Sequence, residues 1–358
     1  MTFIKGMDIS VQQEMEQLGA TYYDNKGVAE DALAILKRYD TNHVRLRLWN
    51  NPYDSSNGSY GGGGNDLATT INLAKRVASL GINFLLDFHY SDFWADPSTQ
   101  ITPKEWANLS FEDLEKAVYD FTYETLKQCD EHGVLPDSVQ VGNEITNGLL
   151  WPVGKFENTK AMASLLRAGL TAVKDYNPNI RTILHLDWGG DNELYRKWFD
   201  SIADEQLPFD IIGLSYYPFW HGTLEQLTYN MNDISARYDK DIIIAETAFP
   251  FTMEPTITGS QLVNQEQASS IPYEVNKDGQ AQFLLDLMNA IKSVNNGRGL
   301  GFYYWEPTWI NVQQANWAKP AGIRYLGKEE NSSNVWANLA LFDYNGEAVP
   351  ALQTIKNF

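Results

Sequence analysis

Eight short apolar runs recur along the chain, spaced widely enough for a helix between each pair, and this alternation constrains the fold more than any other feature. The runs are FIKGMDI (3–9), HVRLRLW (43–49), NFLLDFHY (83–90), SVQVGNE (138–144), RTILHLD (181–187), IIGLSYY (211–217), DIIIAET (241–247) and GFYYWEP (301–307). Between them lie amphipathic segments such as NDLATTINLAKRVASLG. There Leu67, Ile71, Ala74, Val77 and Ala78 share a face, Asn65 or Asp66 can cap the start, and Gly81 can end the helix. Ser110 with Asp113 opens another helix, and Thr223 with Gln226 has capping-box spacing. Strand and helix alternating eight times, with no linker or low-complexity break, predicts one (β/α)₈ TIM barrel over residues 1–358. Long loops are expected after strands 3, 7 and 8. A doubly wound open sheet is the other arrangement, but no Gly-x-Gly-x-x-Gly turn follows the first run.

Charge narrows the partners. With 27 basic and 46 acidic residues the net charge is −19, a field that repels nucleic acid and anionic membranes. No stretch nears 18 consecutive apolar residues, so no membrane partner is expected. Aromatic residues make up 13% of the chain, and Trp94, Trp151, Trp220, Trp309 and Trp317 stand in polar, loop-like contexts. Flat rings facing solvent suit the apolar faces of sugars or nucleobases, and the charge favours sugars. The single cysteine, Cys129, excludes intramolecular disulfides and reads as a packed core thiol. It fits a reducing compartment, and the N-terminal MTFIKGMDIS runs into strand-like sequence without a basic-then-apolar leader. The expectation is a cytoplasmic monomer, with secretion after removal of a signal as the alternative.

In such barrels chemistry sits at the C-terminal ends of the strands. Those ends are unusually polar here: Asp8, Arg45 and Arg47, Asp87 and His89, Asn143 and Glu144, His185 and Asp187, Tyr216 and Tyr217, Glu246, and Trp305 with Glu306. Strands buried on both faces should be almost wholly apolar, so polar residues gathered at one rim point to a site. Glu144 and Glu246, ending the fourth and seventh runs, would face each other across the mouth. Two opposed carboxylates are what glycoside hydrolysis requires, at roughly 5–5.5 Å in a retaining enzyme. Glu144 is assigned as acid/base, with Asn143 beside it to grip the sugar 2-hydroxyl. Glu246 is assigned as nucleophile, kept ionised by Arg45 or Arg47 and by Tyr217. Either glutamate alone would serve equally as an ion-pair partner of an arginine; the Asn-Glu pair matched by a second Glu three strands later argues otherwise. His89 and His185 are expected as neutral, hydrogen-bonding residues lining a subsite, since the first strand offers GMDIS rather than a His-x-His metal motif. No metal and no cofactor are expected.

GMDIS, HVRLRLWNNP, DFHYSDFWADP, VQVGNEITNG, HLDWGG, IAETAFP and YYWEP, in that order from Gly6 to about Pro350, together resemble glycoside hydrolase family 53, the arabinogalactan endo-β-1,4-galactanases of clan A. The resemblance implies a retaining endo-β-1,4-galactanase acting on pectic galactan or galacto-oligosaccharides, with Glu144 as acid/base and Glu246 as nucleophile. Asn143, His89, Tyr217, Trp305 and one of the two arginines match supporting residues; Trp94, Asp96 and Trp151 match positions near subsites. Bacterial members of the family often hold calcium between the loops after strands 7 and 8, and fungal members pin that region with disulfides. The segment 248–276 has no Asp and no His, only Glu254, Glu266 and Glu274 as acids, so it is expected to be braced by packing. Stacking platforms do not distinguish an axial from an equatorial 4-hydroxyl. A clan A glycosidase on mannan or a glucan, and a sugar-binding barrel without activity, therefore stay open on the residues alone.

Overall fold

The computed structural model describes residues 2–259, 261–328 and 333–358. Eight strands close into a parallel barrel: β1 (Ile4–Asp8), β2 (His43–Leu48), β3 (Asn83–Phe88), β4 (Ser138–Val141), β5 (Arg181–Leu186), β6 (Ile211–Ser215), β7 (Asp241–Thr247) and β8 (Gly299–Trp305). β8 pairs back onto β1, from Ile4 opposite Gly301 to Asp8 opposite Trp305. The long helices around it are α1 (Ala32–Arg38), α2 (Leu67–Ser79), α3 (Phe111–Glu131), α4 (Thr159–Tyr176), α5 (Asn192–Ser201), α6 (Leu224–Tyr238), α7 (Lys277–Lys292) and α8 (Pro350–Asn357). The expected (β/α)₈ barrel is what forms.

Local chemistry explains the helix starts. Asp66, rather than Asn65, caps α2 by accepting from the Thr69 N–H, and Ser110 caps α3 in the same way. Thr223 and Gln226 form a complete capping box at α6. The buried face of α2 departs from expectation: Ala78 is exposed, while Thr70 and Leu73 are buried with Ile71, Ala74 and Val77. Cys129 is fully buried on α3 and burial pushes its thiol up to about 12, as befits a packing residue.

Side chains alternate between two destinations along every strand. One set packs outward under the helices: Val44, Leu46, Val139, Val141, Ile212, Leu214, Ile242 and Ile244 belong to the main core. The other set fills the barrel. Leu85, Ile183, Ile211, Ile243, Leu300 and Tyr303 form an apolar layer inside it. Two residues further along, the same inward rows turn polar, Leu85 giving way to Asp87 and Ile183 to His185. The barrel thus grades from an apolar plug to a charged mouth, and the site is built on that gradient.

Beyond the expected long loops after β3, β7 and β8, a further long loop (49–66) follows β2. The described residues of the 248–276 segment are braced by packing and by backbone pairing to described residues of the loop after β8. Phe249 stacks on Phe283, Phe251 N–H donates to the Asn338 carbonyl, and Leu262 N–H donates to the Val335 carbonyl.

Candidate active site

β2 supplies the central cation. Arg45, 1% exposed, lies 2.8 Å from both Asp8 and Asp87 and 2.9 Å from Glu246. It also donates to Asn143 Oδ1 at 2.7 Å. Arg47, two residues on, is committed elsewhere: it pairs with Glu306, donates to Asn65 Oδ1 and to the Gly62 carbonyl, and lies 4.3 Å over the Trp94 ring. Arg45 is therefore the arginine that holds Glu246, and Arg47 builds the wall of the cleft.

The catalytic candidates depend on departures from regular strand geometry. The fourth run was expected to carry Asn143 and Glu144 at the strand's end, but β4 stops at Val141. Gly142, at φ +83°, turns the chain, and Glu144 itself sits in the left-handed region at φ +45°. Tyr90, Trp188 and Glu306 take the same conformation just past β3, β5 and β8. Such a backbone costs each non-glycine residue about 1–2 kcal/mol. Strain of this kind concentrates where side chains must be aimed into a site. Glu246 is aimed by another device. Ile243 points into the barrel, so strict alternation would turn Ala245 and Thr247 inward and Glu246 out. The register slips between Leu214 and Ser215 on the β6 side and between Ile244 and Thr247 on the β8 side, which places Glu246 opposite Ser215 and over the cleft.

The two carboxylates occupy different surroundings. Glu144 receives one side-chain hydrogen bond among the described residues, from Ser215 Oγ at 2.6 Å, and no cation. Burial, then repulsion from Glu246 and Asp187, holds its carboxyl well above the usual carboxylate range. Glu246 is pushed up to about 7, chiefly by burial; the Arg45 guanidinium and the Tyr217 hydroxyl, donating at 3.0 Å, oppose the rise. Of the pair, Glu246 loses its proton first, because it alone has a cation. Asp187 accepts from Thr146 Oγ1 and is pushed up to about 6 by burial.

A cleft of about 700 Å³ opens over this centre. Of the predicted site residues, Arg47, His89, Trp94, Asp96, Asn143, Glu144, Asp187, Tyr217, Glu246 and Trp305 line it. Three do not. Arg45 lies beneath the carboxylates. His185, expected to line a subsite, is fully buried behind Ser215, and burial with the nearby Arg45 charge holds its imidazole well below the usual range, hence neutral. Trp151 stands apart, its indole N–H donating to the Asn147 carbonyl and Lys155 over its ring. His89 does reach the cleft; its Nδ1 accepts from the Trp49 indole and the Ala95 N–H, leaving Nε2–H for Asp87. Tyr216, counted with the polar rim, faces the helices instead and stacks on Phe283.

Sequence reading missed Trp188 and Trp336, which join Trp220, Trp309 and Trp317 around the cleft, and it missed Ser215 and Gln140 beneath it. Trp188 directly follows the HLD strand end and could have been found by position. Ser215 and Gln140 carry no such signal, being ordinary polar residues until the register brings them together. Among the described residues no group of three or more His, Cys, Asp or Glu side chains is arranged to hold a metal ion.

The sequence model of glycosyl hydrolase family 53 matches residues 4–355. An endo-beta-1,4-galactanase of Bacillus subtilis (strain 168) is 38% identical over 99% of this chain and 85% of its own length. An uncharacterized protein from the bgaB 5′ region of Niallia circulans is 42% identical, covering 99% of this chain and 93% of that one. The solved GH53 catalytic domain of Ignisphaera aggregans superposes with a TM-score of 0.90 at 42% identity, covering 99% of this chain and 95% of that one.

Proposed function

The chain belongs to glycosyl hydrolase family 53, and from that premise we propose that it is a retaining endo-β-1,4-galactanase hydrolysing β-1,4-galactan or galacto-oligosaccharides by double displacement. The observation that carries the reading is the asymmetry of the carboxylate pair: Glu246 has Arg45 and Tyr217 as donors, whereas Glu144 has a single hydroxyl and two like charges nearby. That asymmetry divides the roles. Ionised Glu246 attacks the anomeric carbon while protonated Glu144 gives its proton to the departing glycosidic oxygen, leaving a galactosyl ester on Glu246. Glu144, now a carboxylate, takes a proton from water, whose oxygen displaces Glu246 and restores both groups. Arg45 supports the first step by stabilising the carboxylate that attacks and the second by stabilising the carboxylate that leaves.

Asn143 is held by accepting from Arg45 and Gln140 and by donating from Nδ2 to the Ala95 carbonyl, so its remaining N–H has a set direction for a sugar hydroxyl. The tryptophans supply stacking faces along the cleft. A cytoplasmic monomer acting on oligosaccharides belongs to the same proposal, resting on one buried thiol and no disulfide; gel filtration and cell fractionation test it. The substrate assignment is tested by the products from debranched β-1,4-galactan, run beside mannan and a soluble glucan. A ladder of short galacto-oligosaccharides from galactan alone is expected. Products from mannan or glucan instead would move the assignment to another β-1,4-glycan, and none from any polymer would favour a binding-only barrel.

A further inference from the structure

Beneath the cleft an unbroken chain of hydrogen-bonded groups runs from Arg45 to Glu144. Gln140, wholly buried, meets two charged partners: Arg45 Nε–H donates to its Oε1 at 3.3 Å, and its Nε2 donates to Asp87 Oδ1 at 2.6 Å. A guanidinium can only donate and a carboxylate can only accept, so the amide has one orientation. Its nitrogen then faces His185 Nδ1 at 3.1 Å, and the Glu144 backbone N–H points at the same atom from 3.4 Å. Asn143 Oδ1, which already accepts from Arg45 and Gln140, also lies 3.1 Å from Nδ1. Two N–H groups face Nδ1 against that one acceptor, so Nδ1 is assigned as the acceptor and the single proton of a neutral His185 lies on Nε2. Nε2 has Ser215 Oγ at 2.9 Å. With that oxygen accepting from the imidazole, the one hydroxyl proton of Ser215 goes to Glu144 Oε1 at 2.6 Å.

Glu144 Oε1 is thereby occupied as an acceptor. Among the described residues no donor reaches Oε2, and that oxygen keeps solvent contact where Glu144 lines the cleft. Resting on the galactanase reading above, we propose that Ser215, held by His185, confines the catalytic proton of Glu144 to Oε2, the oxygen open to the leaving group, and steadies the carboxylate once the proton has gone. Ser215 and His185 are both fully buried and cannot touch a sugar; they are positioning residues. The register slip after Leu214 sets Ser215 opposite Glu246, between the two glutamates. Arg45 thus reaches both carboxylates, Glu246 by direct contact and Glu144 through Gln140, His185 and Ser215.

The charged and titratable groups facing Glu144 are Glu246 from β7, Asp187 beyond β5, Asp96 from the loop after β3, the phenols of Tyr195 and Tyr217, and, behind Ser215, the neutral imidazole of His185. None of these is a cation, so Ser215 is the group that opposes protonation of Glu144. Replacing it by alanine should raise the affinity of Glu144 for its proton while freeing that proton to sit on either oxygen.

The test is a series of aryl β-galactosides with graded leaving groups, measured for wild type and Ser215→Ala. Rates are normalised by covalent titration with a fluoride-activated inhibitor that needs no acid assistance, so unfolded protein drops out. Expected is a loss of about tenfold or more with the poorest leaving group and little with the best. KM should stay nearly constant, and the alkaline limb of the pH profile should move to higher pH. An equal loss across the series, or an unmoved alkaline limb, would overturn the proposal. Should Ser215→Ala give no titratable protein, Ser215→Cys, a weaker donor, is read in the same way. Because the series uses aryl glycosides, it judges the Ser215 chain separately from the polymer assay that judges the galactanase reading.

Discussion

Arg45 carries three carboxylates with one guanidinium, so its charge is divided, and Glu246 remains nearly neutral-titrating in spite of the contact. The Tyr217 hydroxyl then matters more than a single hydrogen bond ordinarily would, since it is the second donor to Glu246. Removing it in Tyr217→Phe takes away a bond that favours the ionised form, so the Glu246 carboxyl rises further. The acid limb of kcat/KM reports that ionisation and should move to higher pH, with kcat/KM lower by about tenfold from loss of a charge-assisted bond. A pH profile on galactan checks both; an acid limb that stays in place would mean Tyr217 does not stabilise the attacking carboxylate. Sequence alone named Glu144, Glu246 and Tyr217, because a polar residue at the end of an apolar run stands out. It left Arg45 and Arg47 undivided, since both sit on the same inward row of β2 and only the packing shows which one reaches Glu246.

At the scale of elements, the barrel was legible because its signal repeats eight times, whereas the aiming of its side chains was not. Period two predicts that Asp87 and His89, or His185 and Asp187, share the inward row, and it correctly groups them. It mispredicts the depth of His185, because Ser215 on the neighbouring strand stands between it and the cleft. It would also send Glu246 outward, since slips in register have no sequence mark. The seam between β8 and β1 tests the same geometry. Gly301, at φ +144°, lies against the backbone of Ile4, where an added Cβ would come within 2.1 Å of the Ile4 carbonyl oxygen. Gly301→Ala must part the two strands at the point of closure and should cost about 1–3 kcal/mol, the usual range for an overpacked core. Urea unfolding measures it; a midpoint equal to wild type would show that the seam has slack there.

Across the whole molecule, the apolar layer inside the barrel supports a polar one, and the long loops wall the cleft with tryptophan. The loop after β7 is tied to the loop after β8 through Phe251 and Leu262 and packs on α7 through Phe249, contacts that need no ion. Thermal unfolding with and without EDTA should give the same Tm, and a drop with chelator would reveal a metal-dependent brace. The central claim is that Glu246 attacks and Glu144 protonates, and trapping the intermediate tests it most directly. Incubation with a 2-deoxy-2-fluoro galactoside bearing a good leaving group, followed by proteolysis and mass spectrometry, should place one fluorogalactosyl ester on the peptide containing Glu246. An ester on the peptide containing Glu144 would contradict the account, as would enzyme that turns over galactan with inversion and forms no adduct.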